Sequence, residues 1–487
     1  MHKIEFWKTP AEGTLVPVID TMPADLLTPL AVYLKLSAEA PNSFLLESVE
    51  GGESVGRYSF IGSDPVMIVT GNGSSTTVHG PINALTWETS MFSSLRSHFS
   101  TCNVECTDEL PPFIGGAIGY LGFNCSGWFE PSVGGVSNGN IDSEFMFFRT
   151  VVSFDHAKQI ISIISLVSID EDVDLEEAEN RNAAIRSRLE TGSIEVPASH
   201  TSRSFGPVAS NWTKEDFENA VRMVKELIAA GECYQVVLSQ CFSRRTSADP
   251  VSIYRAMRSL NPSPYMFLLK FADRSIIGAS PEMLVKCMGR DLEYRPIAGT
   301  RPRGTTAEED ARFADEMRVD QKEVAEHLML VDLGRNDLGR VAEYGSVKVD
   351  GLMSVEKYSH VQHLVSYLSA RLRPDLDRFD ALAACFPAGT VSGAPKVRAI
   401  EIIQSMEPTS RGIYAGAVGY LDYGGNMDMC IAIRTLVLKD GVAYVQAGAG
   451  IVADSVPEAE YQETVNKARA LLKAVEIAEG GVSVPKT

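Results

Sequence analysis

Positive charge is what this 487-residue chain has least of: 44 Lys and Arg stand against 63 Asp and Glu, a formal net charge of −19. Neutralising phosphates requires clustered Lys and Arg, so the balance argues against a nucleic-acid or anionic-membrane partner. It does not argue against an anionic small molecule, because a bound divalent cation inverts the field around it. Long apolar runs are also missing. The most apolar stretch, 160–169, is too short to span a bilayer and is interrupted by serines. The opening MHKIEFWKTP has no apolar signal segment and lacks the Arg- and Ser-rich character of a transit peptide. Together with eight scattered cysteines, this predicts reduced thiols and a cytoplasmic location. Cys102-x-x-x-Cys106 has no second pair at zinc spacing, which argues against structural zinc. No repeat of solenoid or propeller length is evident.

What is present is an ordinary globular composition, 45% hydrophobic and 22% charged, enough to build a large core. The first part, 1–195, reads as strands and turns with few helices. Its clearest element is a hairpin, 145–154 and 159–169, joined by the turn Asp155-His156-Ala157-Lys158. An acidic helix follows, with Leu175, Ala178, Ile185 and Leu189 at helical spacing and Gly192 beyond its end. Residues 196–210 are polar and rich in Ser, Pro and Gly, the best linker candidate. The second part, 211–480, opens on a helix capped by Thr213-x-x-Asp216, with Phe217, Val221, Val224 and Ile228 on one face and a stop at Gly231. A strand over 233–243 puts Tyr234, Val236, Leu238 and Phe242 on one side and Gln235, Val237 and Ser239 on the other. Residues 481–487 form a tail. The alternation of elements lacks a strict βαβ rhythm. The expected class is therefore α+β, with large, mostly antiparallel sheets flanked by helices.

Two Glu-x-x-Glu pairs carry the clearest chemistry. Residues three apart share a helix face, so Glu323 and Glu326 project together from Lys322-Glu323-Val324-Ala325-Glu326-His327. Alone, this pair also reads as an N-cap at Asp320 with Glu323 as its capping-box partner. Further on, Pro457 suits the first turn of a helix whose one face carries Glu460, Glu463 and Lys467. Alone, Glu463 and Lys467 also read as a surface i,i+4 pair. Two such pairs facing each other, all oxygen and without Cys or His, make a hard-cation site suited to Mg²⁺.

Other features point to an anion and a proton. The loop Phe386-Pro-Ala-Gly-Thr390-Val-Ser-Gly-Ala-Pro-Lys396 runs into a helix start, where backbone N–H groups and Thr390 could hold a carboxylate. Gln446-Ala-Gly448-Ala449-Gly450-Ile451 is similar, following a strand that ends near Val445. Arg434, inside an apolar strand over 429–437, calls for an anion there. Glu282 follows the strand 275–279 in Ser280-Pro281-Glu282 and could be a general acid if partly desolvated. His363, read as a lone helix histidine, is either a proton shuttle or a structural group.

These residues resemble the chorismate-utilising enzymes and, among them, the large subunits of anthranilate synthase. The likeness covers Leu45-Leu46-Glu47-Ser48, Gly56-Arg57-Tyr58-Ser59-Phe60-Ile61-Gly62 and nearly everything from Asn261 to Leu472. Its most specific runs are Asn261-Pro-Ser-Pro-Tyr-Met-Phe267, Pro296-Ile-Ala-Gly-Thr-Arg-Pro-Arg-Gly304, Leu330-Val-Asp-Leu-Gly-Arg-Asn-Asp-Leu-Gly-Arg340 and Gly389-Thr-Val-Ser-Gly-Ala-Pro-Lys396. The resemblance implies a sandwich-like core. It also implies an Mg²⁺-dependent lyase that converts chorismate and ammonia to anthranilate and pyruvate, the first committed step of tryptophan biosynthesis. By the same likeness, Glu326 and Glu463 bind Mg²⁺ directly and Glu323 and Glu460 through water, with the metal on the ring carboxylate. Tyr414 and Arg434, with the backbone of Gly448, Ala449 and Gly450, would grip the enolpyruvyl carboxylate. Thr300 joins the substrate contacts, and Lys467 supports the metal end. Glu282 would protonate the departing C4 hydroxyl, while His363 and Thr390 would orient the ring and assist the loss of pyruvate.

Two positions choose the nucleophile. Members that add water or isomerise chorismate place a Lys base where Gln235 stands. A neutral Gln cannot deprotonate water but can hydrogen-bond ammonia. Relatives that make aminodeoxychorismate, the alternative reading, have a nucleophilic Lys in the place of Ala298, which cannot attack. The resemblance further implies a tryptophan feedback site of Glu47, Ser48, Arg57, Asn261, Pro262, Tyr265 and Met266, backed by Val418, Tyr420 and Cys430. The chain shows no nucleophile-elbow Cys with a trailing catalytic His, so ammonia is expected from solution or from a separate glutamine amidotransferase subunit. Cys125-Ser-Gly-Trp128 departs from the family pattern and has no role in this reading.

Overall fold

The computed structural model describes residues 13–48, 56–80, 83–105, 109–134, 141–168, 175–194, 206–358 and 361–480. Most of the expected linker, the tail and Cys106 lie outside them. Runs rich in β-branched and aromatic residues build two large sheets. The first follows the order Ala209–Ser210, Gln235–Arg245, Val442–Ile451, Thr435–Lys439, Arg274–Ser280, Tyr265–Phe271, Ser43–Glu47, Tyr58–Ser63, Thr150–Asp155, Ile160–Ser168, Gly13–Pro23 and Cys102–Val104. The second runs from Ile297–Pro302 through Val361–Arg371, Asp291–Tyr294, Met283–Met288, Met427–Ile431, Ala417–Asp422, Gly116–Leu121 and Ser143–Phe148 to Met67–Gly71 and two short strands. Among the described pairings only Gly13–Pro23 with Cys102–Val104 is parallel.

Alternation along the strands creates two cores. Phe44, Phe267 and Ile276 point into an aromatic layer that also holds residues of the second sheet, while their neighbours Leu45, Leu268 and Ile277 point the other way. In the first layer Phe44 meets Phe148 at 4.7 Å between ring centroids and Phe60 meets Tyr420 at 5.9 Å, both edge-on. Such pairs contribute about 0.5–1.5 kcal/mol each beyond their burial. The second layer is closed by the helices Pro29–Ser37, Pro250–Leu260 and Pro457–Gly480, which supply Val32, Ile253 and Leu471.

Both sheets take strands from either side of 196–210. Ser43–Glu47 pairs with Tyr265–Phe271, and Gly116–Leu121 pairs with Ala417–Asp422. The two parts seen in the sequence therefore do not each have a core of their own, because the strands of the first satisfy their edges on those of the second.

Local signals fared well where they were local. The helices Leu175–Thr191 and Lys214–Ala229 form, the latter capped by Thr213, whose side chain accepts from the Asp216 N–H at 3.1 Å. Two expected strands are instead broken where the chain crosses between sheets. The one over 145–154 divides at Arg149 into Ser143–Phe148 and Thr150–Asp155, and only the latter makes the hairpin with Ile160–Ser168. The one over 429–437 divides into Met427–Ile431 and Thr435–Lys439, with Arg434 at φ 50° between them. Apolar residues flank both breaks and only an Arg-Thr pair interrupts each, Arg149-Thr150 and Arg434-Thr435, so periodicity does not mark them. Conversely, the strand expected to end near Val445 continues as Val442–Ile451, with Gly448 and Gly450 inside it. His363 lies on the strand Val361–Arg371 and not on a helix. No described helix is long and apolar enough to cross a membrane.

Candidate active site

Two neighbouring crossings between the sheets place the reactive groups. The chain leaves Arg274–Ser280 for Met283–Met288 through Pro281-Glu282, and returns from Met427–Ile431 to Thr435–Lys439 through Ala432-Ile433-Arg434. The crossings are tied together: the Ile431 N–H donates to the Glu282 carbonyl at 3.0 Å, and the Ala279 N–H to the Arg434 carbonyl at 3.1 Å. Ala432 and Ile433 still pack on the aromatic layer, and Glu282 and Arg434 are the charged side chains that the crossings carry.

Glu282 is only 6% exposed. Burial pushes its carboxyl up to about 8, with Thr390 pulling slightly the other way. Among the described residues neither Glu282 Oε1 nor Thr390 Oγ1 finds a hydrogen-bond partner of good geometry. Desolvation rather than pairing thus keeps this acid protonated at neutral pH. Thr390 rides on the single turn Gly389–Ser392, and a Cβ at Gly389 would fall 2.5 Å from Leu333 of the helix Gln321–Gly339.

The glycine-rich strand is a close-approach surface. A Cβ at Gly448 would come within 2.7 Å of the Tyr414 hydroxyl, and one at Gly450 within 2.4 Å of Gln235 Nε2. The Gln235 Oε1 is buried without a partner among the described residues. Arg434 forms no ion pair among them. Burial lowers its pKa, with Tyr414 and then Glu463 working against that. His363 Nδ1 stands 2.8 Å from the Gly299 carbonyl, which makes Nδ1 the donor and Nε2 the acceptor nitrogen of the neutral ring. Burial, with Arg434 as a lesser cause, lowers the histidine's pKa and keeps the ring neutral. Ala298 is buried on the same strand as Gly299, Ile297–Pro302; the Thr300 side chain lies outside the described residues.

The glutamate pairs do share helix faces, one on Gln321–Gly339 and the other on Pro457–Gly480. They also sense each other. Glu326 lies at the solvent-facing rim, yet burial, Glu323 and, more weakly, Glu463 raise its pKa. Burial and Glu463 likewise raise Glu460, while Ser455 opposes them. The carboxylates do not converge to metal-ligand distances, and no three described acidic, His or Cys groups do. Two of them rest on internal cations: Glu323 on Arg301 at 2.9 Å and Glu463 on Lys467 at 2.6 Å. Asp320 caps its helix as the alternative reading had it, but Glu323 turns to Arg301 rather than completing a capping box. Lys467 also donates to the Gly448 carbonyl at 2.9 Å, joining this helix to the glycine strand. Arg434, Glu463 and Lys467 line a common cavity. As chemistry, a set of carboxylates without nitrogen or sulfur fits a hard divalent cation.

Residues 41–473 match the model of a protein family described as chorismate binding enzyme. The chain belongs to that family. It is 45% identical over 484 residues to anthranilate synthase component 1 of Acetivibrio thermocellus, covering 95% of this chain and 96% of the relative. It is 44% identical over 496 residues to the Pseudomonas putida protein of the same name, covering 98% and 99%. The crystal structure of anthranilate synthase component I from Streptococcus pneumoniae superposes with a TM-score of 0.75 at 36% identity, over 92% of this chain and 98% of that one. The menaquinone-specific isochorismate synthase of Escherichia coli, 20% identical with a TM-score of 0.69 over 96% of each chain, shares the fold.

A second cavity of this family member, about 410 Å³, lies between the sheets away from the glutamates. It gathers Glu47, Ser48, Arg57, Tyr265, Met266, Val418, Tyr420 and Cys430 as expected. Asn261 and Pro262 are absent from its wall. Asn261 instead closes the helix Pro250–Leu260, its N–H bonded to the Met257 carbonyl at 2.8 Å. The charges in the wall are already engaged. Glu47 accepts two bonds from Arg258 at 2.9 Å and one from Tyr254 at 2.7 Å. Arg57 pairs with Asp155 at 2.9 Å, and Asp428 accepts from Tyr265 at 3.0 Å. Ser48 Oγ is buried without a partner among the described residues. Tyr58, Phe60, Lys286 and Asp428 also line the wall and were missed by sequence reasoning, although the first two stand in the quoted run 56–62.

Proposed function

We propose that this chain catalyses the conversion of chorismate and ammonia to anthranilate, pyruvate and water. The observation that carries the reading is Glu282, a carboxyl kept protonated by burial at a crossing tied to the one that carries Arg434, which has no ion pair among the described residues. The leaving group at C4 is a hydroxyl, and it departs as water only if an acid delivers a proton as the C–O bond breaks. Arg434, beside Tyr414 and the glycine strand, suits a carboxylate of the substrate. Gln235, whose Oε1 has no described partner, can accept from incoming ammonia but cannot take a proton from water. Ala298 offers no nucleophile. Ammonia therefore adds at C2 while the ring electrons shift and expel the C4 oxygen. In the second step a base removes the C2 proton, and the enolpyruvyl group leaves C3 as the ring becomes aromatic. The neutral His363, whose Nδ1 donates to Gly299, has in Nε2 a basic nitrogen that suits taking that proton and passing it to the departing group, which ends as pyruvate.

Glu326 and Glu463 would hold Mg²⁺, with Glu323 and Glu460 behind it through water; bound there, the cation supplies positive charge to a substrate carboxylate. The names of the relatives, component 1, support a partner component, read here as a glutamine amidotransferase subunit that delivers ammonia. The second cavity, apolar at Met266, Phe267 and Val418 and polar at Glu47 and Ser48, suits tryptophan as a feedback inhibitor.

Purified chain given chorismate, Mg²⁺ and ammonium should release anthranilate, read by its fluorescence, and pyruvate in equal amount. Accumulation of a non-aromatic aminated product would instead identify aminodeoxychorismate formation. Glutamine should replace ammonium only once the amidotransferase subunit is added, and tryptophan should suppress the rate.

A further inference from the structure

We propose that Arg301 is an internal counter-cation that competes with the divalent metal for Glu323 and thereby sets the cleft's metal affinity. The inference rests on the reading of the glutamate pairs as the metal site and adds a residue that reading does not assign.

Arg301 sits on the strand Ile297–Pro302, whose pairing with Val361–Arg371 shifts register between Ala298 and Arg301. Such a bulge re-aims a side chain, here toward the first turn of the helix Gln321–Gly339. Nη1 donates to Glu323 Oε1 at 2.9 Å and Nη2 to Asp320 Oδ2 at 3.2 Å. The other Glu323 oxygen also faces this strand, 3.2 Å from where a Cβ on Gly299 would stand. The whole carboxylate is thus turned onto Ile297–Pro302 rather than toward Glu463 on the facing helix.

Two features make this an exchangeable hold. Both side chains are about one-quarter exposed, so the pair is reachable by water and by ions. Asp320 shares the guanidinium and is itself fixed as the helix cap, so Arg301 keeps a partner when Glu323 leaves it. The charge balance gives the exchange a purpose. Asp320, Glu323, Glu326, Glu460 and Glu463 face Arg301, Lys322, Arg434 and Lys467, five negative charges against four positive. The remaining single negative charge is a weak attraction for a divalent ion. The arrival of an anionic substrate, or the loss of Arg301, strengthens it.

The competing role for such an arginine is to orient a metal ligand from behind. The two roles predict opposite signs. Removing an orienting partner weakens metal binding, typically about tenfold or more. Removing a competitor tightens it. Mn²⁺ binding to the whole chain, measured by calorimetry or by electron paramagnetic resonance without chorismate, separates them. Arg301→Gln should bind Mn²⁺ about three- to tenfold more tightly than wild type, the scale of a partly exposed ion pair with a charged partner. Arg301→Lys, which keeps the charge, should return toward the wild-type value. If Arg301→Gln fails to fold, Arg301→Met keeps the aliphatic stem and reports the same sign. Unchanged or weaker Mn²⁺ binding in the folded variant overturns the proposal while leaving the metal site standing. A wild-type chain that binds no Mn²⁺, even with chorismate present, overturns the metal reading and this inference with it.

Discussion

The catalytic cleft and the second cavity are built from the same two sheets, yet they treat polar groups in opposite ways. In the cleft Glu282 Oε1, Thr390 Oγ1 and Gln235 Oε1 are buried without partners among the described residues, and Arg434 has no counter-ion there. Each unsatisfied buried group costs roughly 1–3 kcal/mol. In the cavity Glu47, Arg57 and Asp428 are paired off by Arg258, Asp155 and Tyr265, and Ser48 Oγ is the group left over. Groups held unsatisfied at a cost are poised for chemistry, whereas a satisfied wall with one spare oxygen is shaped for recognition. The cleft should therefore respond to substitution in rate and the cavity in inhibitor binding.

The largest effect should come from Glu282→Gln, which removes the proton donor and should lower turnover about 10²- to 10⁴-fold in the ammonium assay. The same variant tests the cost of burial. The folded pKa of Glu282, about 8, lies above its ordinary value, so its contribution to stability is complete at acid pH and is lost as pH rises toward 8. Glutamine does not ionise, so between about pH 5 and about pH 8 the variant should lose less melting temperature than wild type. Parallel losses would mean that the carboxyl is better solvated than its surroundings imply. Next in size is Arg434→Lys, which keeps the charge but loses the fork. A fall in kcat/KM of about 10- to 100-fold is expected, and an unchanged value would remove the carboxylate grip. Gly450→Ala drives a methyl group onto Gln235 Nε2 and should raise the KM for ammonium several-fold more than that for chorismate. The smallest effect belongs to the cavity. Ser48→Ala should raise the tryptophan concentration for half-inhibition about 2- to 10-fold, the worth of one hydrogen bond.

The sequence revealed chemistry more readily than connection. The cap at Thr213, the face shared by Glu460, Glu463 and Lys467, and the acid at Ser280-Pro281-Glu282 are local patterns, and the structure keeps them. The crossings at Arg149 and Arg434 were illegible because apolar residues continue on both sides while the chain changes sheets. His363 looked helical because the short run Val-Gln-His-Leu-Val carries no length from which to tell a period of two from one of 3.6. Asn261 and Pro262 were assigned to the second cavity by their run rather than by the turn that closes their helix, which leaves them outside its wall. Arg301 stood in a quoted motif without a role, since its partner lies a full helix away in the chain and only the bulged strand brings them together.

The most direct test of this account is the pH dependence of kcat at constant free ammonia, measured on wild type and Glu282→Gln. The account predicts a wild-type rate that falls on the alkaline side with an apparent pKa near 8, and a residual rate in the variant without that limb. A Glu282→Gln enzyme that turns over at the wild-type rate, or a wild-type rate that stays level through the alkaline range, would contradict it.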